Sequence, residues 1–188
     1  MTHNWVHVGK LMRLRLPCLE DADISVAWRN SPELSGCVLG YRLPVTTEAE
    51  TEWVRQVIED KSHSHVVLAI EPKSEDGLIG YCHLNGIDWF DHVAELGVLI
   101  GEERWRGRGV GIETARFLCR YAFETLNLER LHLRVAEYNV RAVSIYERIG
   151  FVREGVWRNH VFRGGTRHNV ILMGLLRSEW QGNISLIE

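Results

Sequence analysis

Arg104-Trp105-Arg106-Gly107-Arg108-Gly109-Val110-Gly111 stands between an apolar run, Val93 to Ile100, and a stripe of Gly111, Ala115, Leu118, Ala122 and Leu126. The run has the length of a strand, and the stripe recurs at helical spacing, which marks one buried helix face. Glycines let the backbone approach a ligand closely and adopt positive φ. The unpaired amides at the start of the following helix form an anion site. Three arginines add positive charge, so a pyrophosphate is the guest that fits. The segment is not a Walker loop, since no Gly-Lys-Ser/Thr follows. It is also not a dinucleotide fingerprint, because no parallel βαβ unit precedes it and the two-residue gap of that motif is missing. Taken alone, it reads equally well as a flexible basic surface loop.

Working outward, Met12 to Leu16 alternates apolar and polar and reads as a strand stopped by Pro17. Glu20 opens a helix running to about Asn30, with acids near its positive end. Ser31 to Thr46 reads as a loop, and Thr47 with Glu50 reads as a capping box for a helix ending near Lys61. Val66–Ile70, Leu78–Leu84 and Val93–Ile100 make a three-stranded meander, with Asn85-Gly86 as a turn or bulge signal. Beyond the central helix, Leu131 to Val135 reads as a strand and Val140–Ile149 as a helix capped by Gly150. Val156–Phe162 and Asn169–Leu175 read as two strands joined through Arg163 to Arg167, and the tail after Trp180 as weakly ordered. This order predicts a mixed α/β (α+β) sheet with helices on both faces. No linker or repeat interrupts residues 1–188, so one domain is expected, with its core at about 12–175.

The chain has 188 residues, 45% of them apolar and 25% charged, with a formal net charge of −3. These are ordinary globular values, and they exclude a collagen, a coiled coil and a disordered chain. No basic excess supports a nucleic-acid partner. No apolar run approaches the ~18 residues of a membrane span. Residues Met1 to Lys10 carry His3, Asn4 and His7 where a signal peptide would be greasy. Cys18, Cys37, Cys82 and Cys119 form no CxxC pair, which argues against a disulfide scaffold or a zinc site and suits a reducing cytoplasm.

A second segment decides how the glycine loop reads. It runs from Asn139 through Ala142 and Tyr146 to Gly150-Phe151. Arg106-x-x-Gly109-x-Gly111 resembles the pyrophosphate loop of the GCN5-related N-acetyltransferases (GNAT), and the Asn139–Phe151 segment resembles that family's second acetyl-CoA motif. The likeness spans about Met12 to Leu175. Within the family it is nearest the RimJ/RimL-like and spermidine acetyltransferase-like branch, on Trp28-Arg29-Asn30, Leu126-Asn127-Leu128 and Arg163-Gly164-Gly165.

The resemblance implies a single-domain GNAT fold with splayed central strands and acetyl-CoA as co-substrate, without a metal. It implies that the backbone near Val98, Leu99 and Ile100 holds the pantetheine, with an amide there serving the oxyanion. The pyrophosphate would lie on the loop of Arg104, Arg106, Gly107, Arg108, Gly109, Val110 and Gly111. Tyr146 would be the general acid for the leaving thiolate, as a phenol near pKa ~10 can be. On spacing alone, Tyr146 is equally part of an apolar helix face with Ala142 and Ile149. Asn139 reads as a pantetheine contact, as a helix N-cap, or as both. Glu95, the one carboxylate in the Val93–Ile100 strand, is the candidate general base, since burial would raise its pKa. Its plainer reading is a Glu on a solvent-facing strand. No cysteine adjoins a motif residue in sequence, which argues against an acyl-enzyme.

The acceptor is less legible. The N-terminal third is acidic and could steer a cationic amine, with Glu33, Glu48 and Tyr41 as candidate substrate contacts. His83, His160 and His168 could line a cleft or be ordinary sheet residues, and Trp28, Trp53 and Trp105 could border the site. His63-Ser64-His65 lacks the further ligands a metal would need. The expected function is acetyl transfer to a primary amine of a small molecule: a polyamine, an amino sugar or an aminoglycoside-like compound. A homo-oligomer is possible by analogy with relatives. The alternatives are a protein N-terminal acetyltransferase and a non-catalytic acyl-CoA-binding module.

Overall fold

The structure, a computed structural model, describes residues 5–40 and 43–182. Eight strands form one sheet in the order β1-β2-β3-β4-β5-β6-β8-β7. They are β1 (Trp5–Val8), β2 (Met12–Arg15), β3 (Val66–Pro72), β4 (Gly80–Asp88), β5 (Val93–Ile100), β6 (Arg130–Ala136), β7 (Val152–Arg163) and β8 (Thr166–Leu176). Every pairing is antiparallel except β5 with β6. The helix α4 (Val110–Arg120) makes that crossover and continues as a π-helical turn over Tyr121–Thr125. Among the described residues, no helix is long and apolar enough to cross a membrane.

The period-2 alternation of the strands divides the core into two layers. On one face Leu14, Leu68, Leu84, Leu96 and Leu133 meet α4 and α5 (Val140–Ile149) through Ala115, Leu118, Val143 and Tyr146. On the other face Ala69 and Tyr81 meet Trp28 of α1 (Asp21–Arg29), Leu34 of α2 (Pro32–Cys37) and Trp53 of α3 (Thr47–Glu59). Helices therefore cover both faces, as the element order requires.

A buried ion cluster ties the second layer to the sheet. Arg15 on β2 makes a bidentate pair with Asp21 of α1 (2.7 and 2.8 Å) and donates through Nε to Glu71 of β3 at 2.7 Å. Ser25 of α1 donates to the buried Glu50 carboxylate of α3 at 2.7 Å.

Three local readings need correction. The expected loop after Asn30 contains α2, started by Pro32 at its first position, with the Ser31 hydroxyl accepting from the Leu34 amide. Proline suits a helix start, and Leu34 gives this short helix an apolar anchor. The cap of α3 is Thr46, not Thr47, and Glu50 is buried against Ser25 instead of closing a capping box. The sheet also gains β1, whose half-exposed residues gave only a weak pattern. The Asn85-Gly86 signal proves to be a bulge within β4, with Gly86 at φ +57° and a register shift before Asp88.

Candidate active site

β5 and β6 pair only over Val93–Glu95 and Arg130–His132. Past Glu95, β5 continues with β4 to Ile100, while β6 continues with β8 to Ala136. The strands fork, and from Leu96 onward the β6-facing backbone edge of β5 has no strand partner. Val98, Leu99 and Ile100 lie on that open arm.

The glycine loop lies at the end of the same arm. Gly107 (φ +79°) and Gly109 (φ +87°) take left-handed conformations that L side chains rarely adopt, and Gly109 is the N-cap of α4. The first intrahelical bond of α4 runs from the Glu113 amide to the Gly109 carbonyl. The amides of Val110, Gly111 and Ile112 therefore have no partner within the helix and face the loop. This is an anion cradle made of backbone.

The arginine side chains of the loop are largely committed elsewhere. Arg104 pairs with Glu75 at 2.6 Å. Arg106 clamps the loop to β5 by donating to the carbonyls of Ile100 (3.1 Å) and Gly101 (2.7 Å), and it pairs with Glu33. Arg108 lies over the Trp105 ring. Sequence reasoning missed Arg141: its guanidinium lies so close to Gly107 that a Cβ there would collide with it. Arg141 has no carboxylate partner within ion-pair distance among the described residues. Its position two residues after Asn139 on α5 was the available signal.

On α5, the Asn139 side chain accepts from the Ala142 amide at 3.2 Å, which is the N-cap reading. Ala142 packs partly buried against the core. Tyr146 is buried with Val143 and Ile149 and lies edge-on to Phe151 at 5.7 Å. Burial pushes its phenol up to about 12, and the nearby Cys119 adds to the shift. A cysteine therefore does neighbour a motif residue in space, contrary to the reading along the chain. Burial raises the Cys119 thiol well above its ordinary range, which disfavours the thiolate.

Glu95 differs from its expected state. It is neither deeply buried nor unpartnered: its side chain is 26% exposed and takes both Nε (2.7 Å) and an Nη (2.9 Å) of Arg134. The pair closes the crotch of the fork from β5 to β6. Both Glu95 carboxylate oxygens are thus engaged by one guanidinium.

A cavity of about 820 Å³ opens between α3 and the sheet face that carries Glu95. Trp53, Gln56 and Val57 form one wall; Val67, Tyr81, His83 and Leu99 form the other; Arg29, Asp60 and His65 also line it. Among the expected acceptor residues, Glu33 is paired with Arg106 and Glu48 is exposed on the first turn of α3. Hydrogen bonds from its own amide and from Thr46 hold the Glu48 carboxyl below the usual range. Tyr41 lies outside the described residues. His160 lies tilted against Trp157 and His168 meets Tyr138 edge-on, whereas His83 lines the cavity. Trp28 is buried behind Gly101, Trp105 donates to Glu75, and Trp53 is a cavity wall.

Comparison with known proteins agrees with this geometry. Residues 12–152 match the acetyltransferase (GNAT) domain model. The chain is 30% identical over 173 residues to an uncharacterized N-acetyltransferase, p20, of Bacillus licheniformis, covering 91% of this chain and 96% of that protein. It is 33% identical over 107 residues to the spermidine N(1)-acetyltransferase of Vibrio cholerae, covering 57% of this chain and 61% of the relative. The solved structure of spermidine N-acetyltransferase from Vibrio cholerae with CoA and spermine superposes with a TM-score of 0.81 at 25% identity, covering 91% of this chain and 98% of that one. A forked parallel pair, a glycine cradle at the crossover helix and a match over three quarters of the sequence place this chain in the GNAT family of acetyltransferases.

Proposed function

We propose that the protein transfers the acetyl group of acetyl-CoA directly to a primary amine of a small molecule. The observation that carries this reading is the fork: a backbone cradle for the cofactor lies at one end of its open arm, and a cavity for an acceptor lies against its other face. The pyrophosphate would sit on the amides of Val110, Gly111 and Ile112, with Arg141 and Arg108 supplying charge. The pantetheine would run along the unpaired edge of β5 past Val98 to Ile100, with Asn139 and Ala142 on the opposite side. Oriented amides on that edge would stabilise the oxyanion, a contribution of about 2.7–4 kcal/mol in comparable sites. Tyr146, protonated throughout the physiological range, would return a proton to the departing thiolate.

For the acceptor, Trp53 and Tyr81 line the cavity as aromatic residues and Asp60 contributes a carboxylate to it. A polyamine is therefore the first candidate, supported by the activity named for the Vibrio relative. The test is thiol release from acetyl-CoA across spermidine, spermine, amino sugars, an aminoglycoside and short peptides beginning with Ala or Ser. Turnover with a small amine supports the reading. Turnover with peptides alone would instead assign a protein N-terminus. Self-association belongs to the same proposal, because β7 ends the sheet and nine of its 12 residues are exposed. Sedimentation velocity would detect it.

A further inference from the structure

We infer that His83 takes the proton from the acceptor ammonium, and that His65 passes it on toward solvent along the cavity. This inference rests on the acetyl-transfer reading above and assigns the step that Glu95 does not fill.

The geometry begins at one cross-strand pair. His83 of β4 is opposite Gly97 of β5, two residues past the last β5–β6 pair. Its imidazole lies so close over Gly97 that any Cβ there would collide with the ring. A glycine in the middle of a strand weakens it unless something must approach the backbone closely. Here that something is an imidazole, held at the opening of the fork. The same ring lines the cavity with Trp53 and Tyr81, so it borders both the open arm and the acceptor space.

The route outward lies on the same sheet face. Val66 pairs with Leu84, which sets His65 beside Asn85; the His65 Nδ1 to Asn85 Oδ1 distance is 3.3 Å. His65 is thus the diagonal neighbour of His83, exposed where His83 is enclosed, and both line the one cavity.

The charged surroundings fit a neutral imidazole that protonates transiently. Burial is the largest cause lowering the His83 pKa, and His65 lowers it further, while Glu95 opposes both. Arg134 of β6 engages Glu95 and limits that opposition. His132 of β6 sits beside Glu95, and its own pKa is also lowered by burial. Arg29 of α1, Asp60 after α3, Tyr81 of β4 and Tyr121 after α4 complete the ionisable lining.

The protons balance. R–NH3+ gives its first proton to His83, and the freed nitrogen lone pair attacks the thioester carbonyl carbon. When the tetrahedral adduct collapses, the C–S bond breaks and Tyr146 protonates the sulfur. The second N–H proton of the former amine restores the Tyr146 hydroxyl. The imidazolium returns its proton through His65, so one proton is released per turnover. No oxidant, metal or further reactant enters.

The test is the pH dependence of kcat/KM for the best amine of the panel, with wild type, His83→Gln, His65→Gln and Glu95→Gln. Acetyl-CoA affinity and melting temperature are measured on each variant to show a folded cofactor site. In the wild type, an acid limb should fall with an inflection below the ordinary 6.5 of histidine. His83→Gln should lose about 10²–10⁴-fold at pH 7 with acetyl-CoA affinity intact, as removal of a positioned base does. That loss should shrink as pH approaches the amine pKa, where free amine is abundant. His65→Gln should slow turnover several-fold at low buffer concentration and recover with added buffer. Glu95→Gln should keep an acid limb but move its inflection lower, because the charge that opposes the lowering of the His83 pKa is gone. Should His83→Gln misfold, His83→Ala with added imidazole is the second variant, and rescue of its rate supports the assignment. A His83 variant that binds acetyl-CoA and keeps the wild-type rate and inflection overturns the inference alone. A wild type that acetylates no amine overturns the transfer reading, and this inference with it.

Discussion

At the scale of single residues, burial and pairing sort the ionisable groups into roles. Tyr146 is held protonated, with its pKa raised to about 12. Tyr146→Phe is expected to lower kcat about 100-fold or more while leaving acetyl-CoA affinity unchanged, measured by steady-state kinetics beside calorimetric titration. Because an acid of this pKa stays protonated, no basic limb assignable to it should appear up to pH 10. Glu95 shows the limit of reading a residue along the chain. Its apolar strand neighbours suggested burial, but Arg134, 39 residues later, gives it a partner. Cross-strand pairing across a parallel crossover leaves no local trace in sequence. Glu95→Gln should cost under about 1 kcal/mol in urea unfolding, since both partners reach solvent and exposed pairs contribute little.

At the scale of elements, the glycine loop and the crossover helix were legible because their signals are local. Gly109 must adopt φ +87°, and the stripe Ala115, Leu118 and Ala122 is fully buried as its spacing requires. Gly109→Ala should strain the N-cap by about 1–2 kcal/mol and weaken acetyl-CoA binding, with the melting temperature and the dissociation constant moving together. Arg141→Ala should leave the melting temperature unchanged and raise the dissociation constant for acetyl-CoA about tenfold, as expected for a lost charge-assisted phosphate contact. An unchanged affinity would remove Arg141 from the cradle. Side-chain placement in the loop was not legible. Three arginines were read as positive charge for the loop, yet Arg106 spends its donors on the carbonyls of Ile100 and Gly101. The spacing of arginines conveys charge but not which acceptor each one finds. The helix α2 escaped notice for a related reason: six residues are too few for periodicity, and only Pro32 and a buried Leu34 mark it.

At the scale of the whole molecule, helix α1 is joined to the sheet by buried charge. Arg15 holds Asp21 and Glu71 at once, and all three are nearly inaccessible. Arg15→Met would strand two buried carboxylates and should destabilise the fold by about 3–5 kcal/mol, visible as a lower midpoint in denaturant. Stability should also depend on pH in a defined window. Burial lowers the pKa values of His7, His83 and His132 below the ordinary 6.5. Below pH 6.5 the unfolded chain binds protons that the folded chain does not, so stability falls as pH drops from 6.5 to the folded values. The denaturant midpoint should therefore be lower at pH 5.5 than at pH 7.5.

The proposed chemistry divides labour across the fork, with cofactor on its open arm and amine on the His83 face. A crystal structure with CoA and the best acceptor amine tests it most directly. The expected result places the pyrophosphate on the Val110–Ile112 amides, the sulfur beside the free edge of β5 past Glu95, and the amine nitrogen in the cavity within reach of His83. CoA bound away from the glycine cradle, or an amine entering from the α4–α5 face, would contradict it.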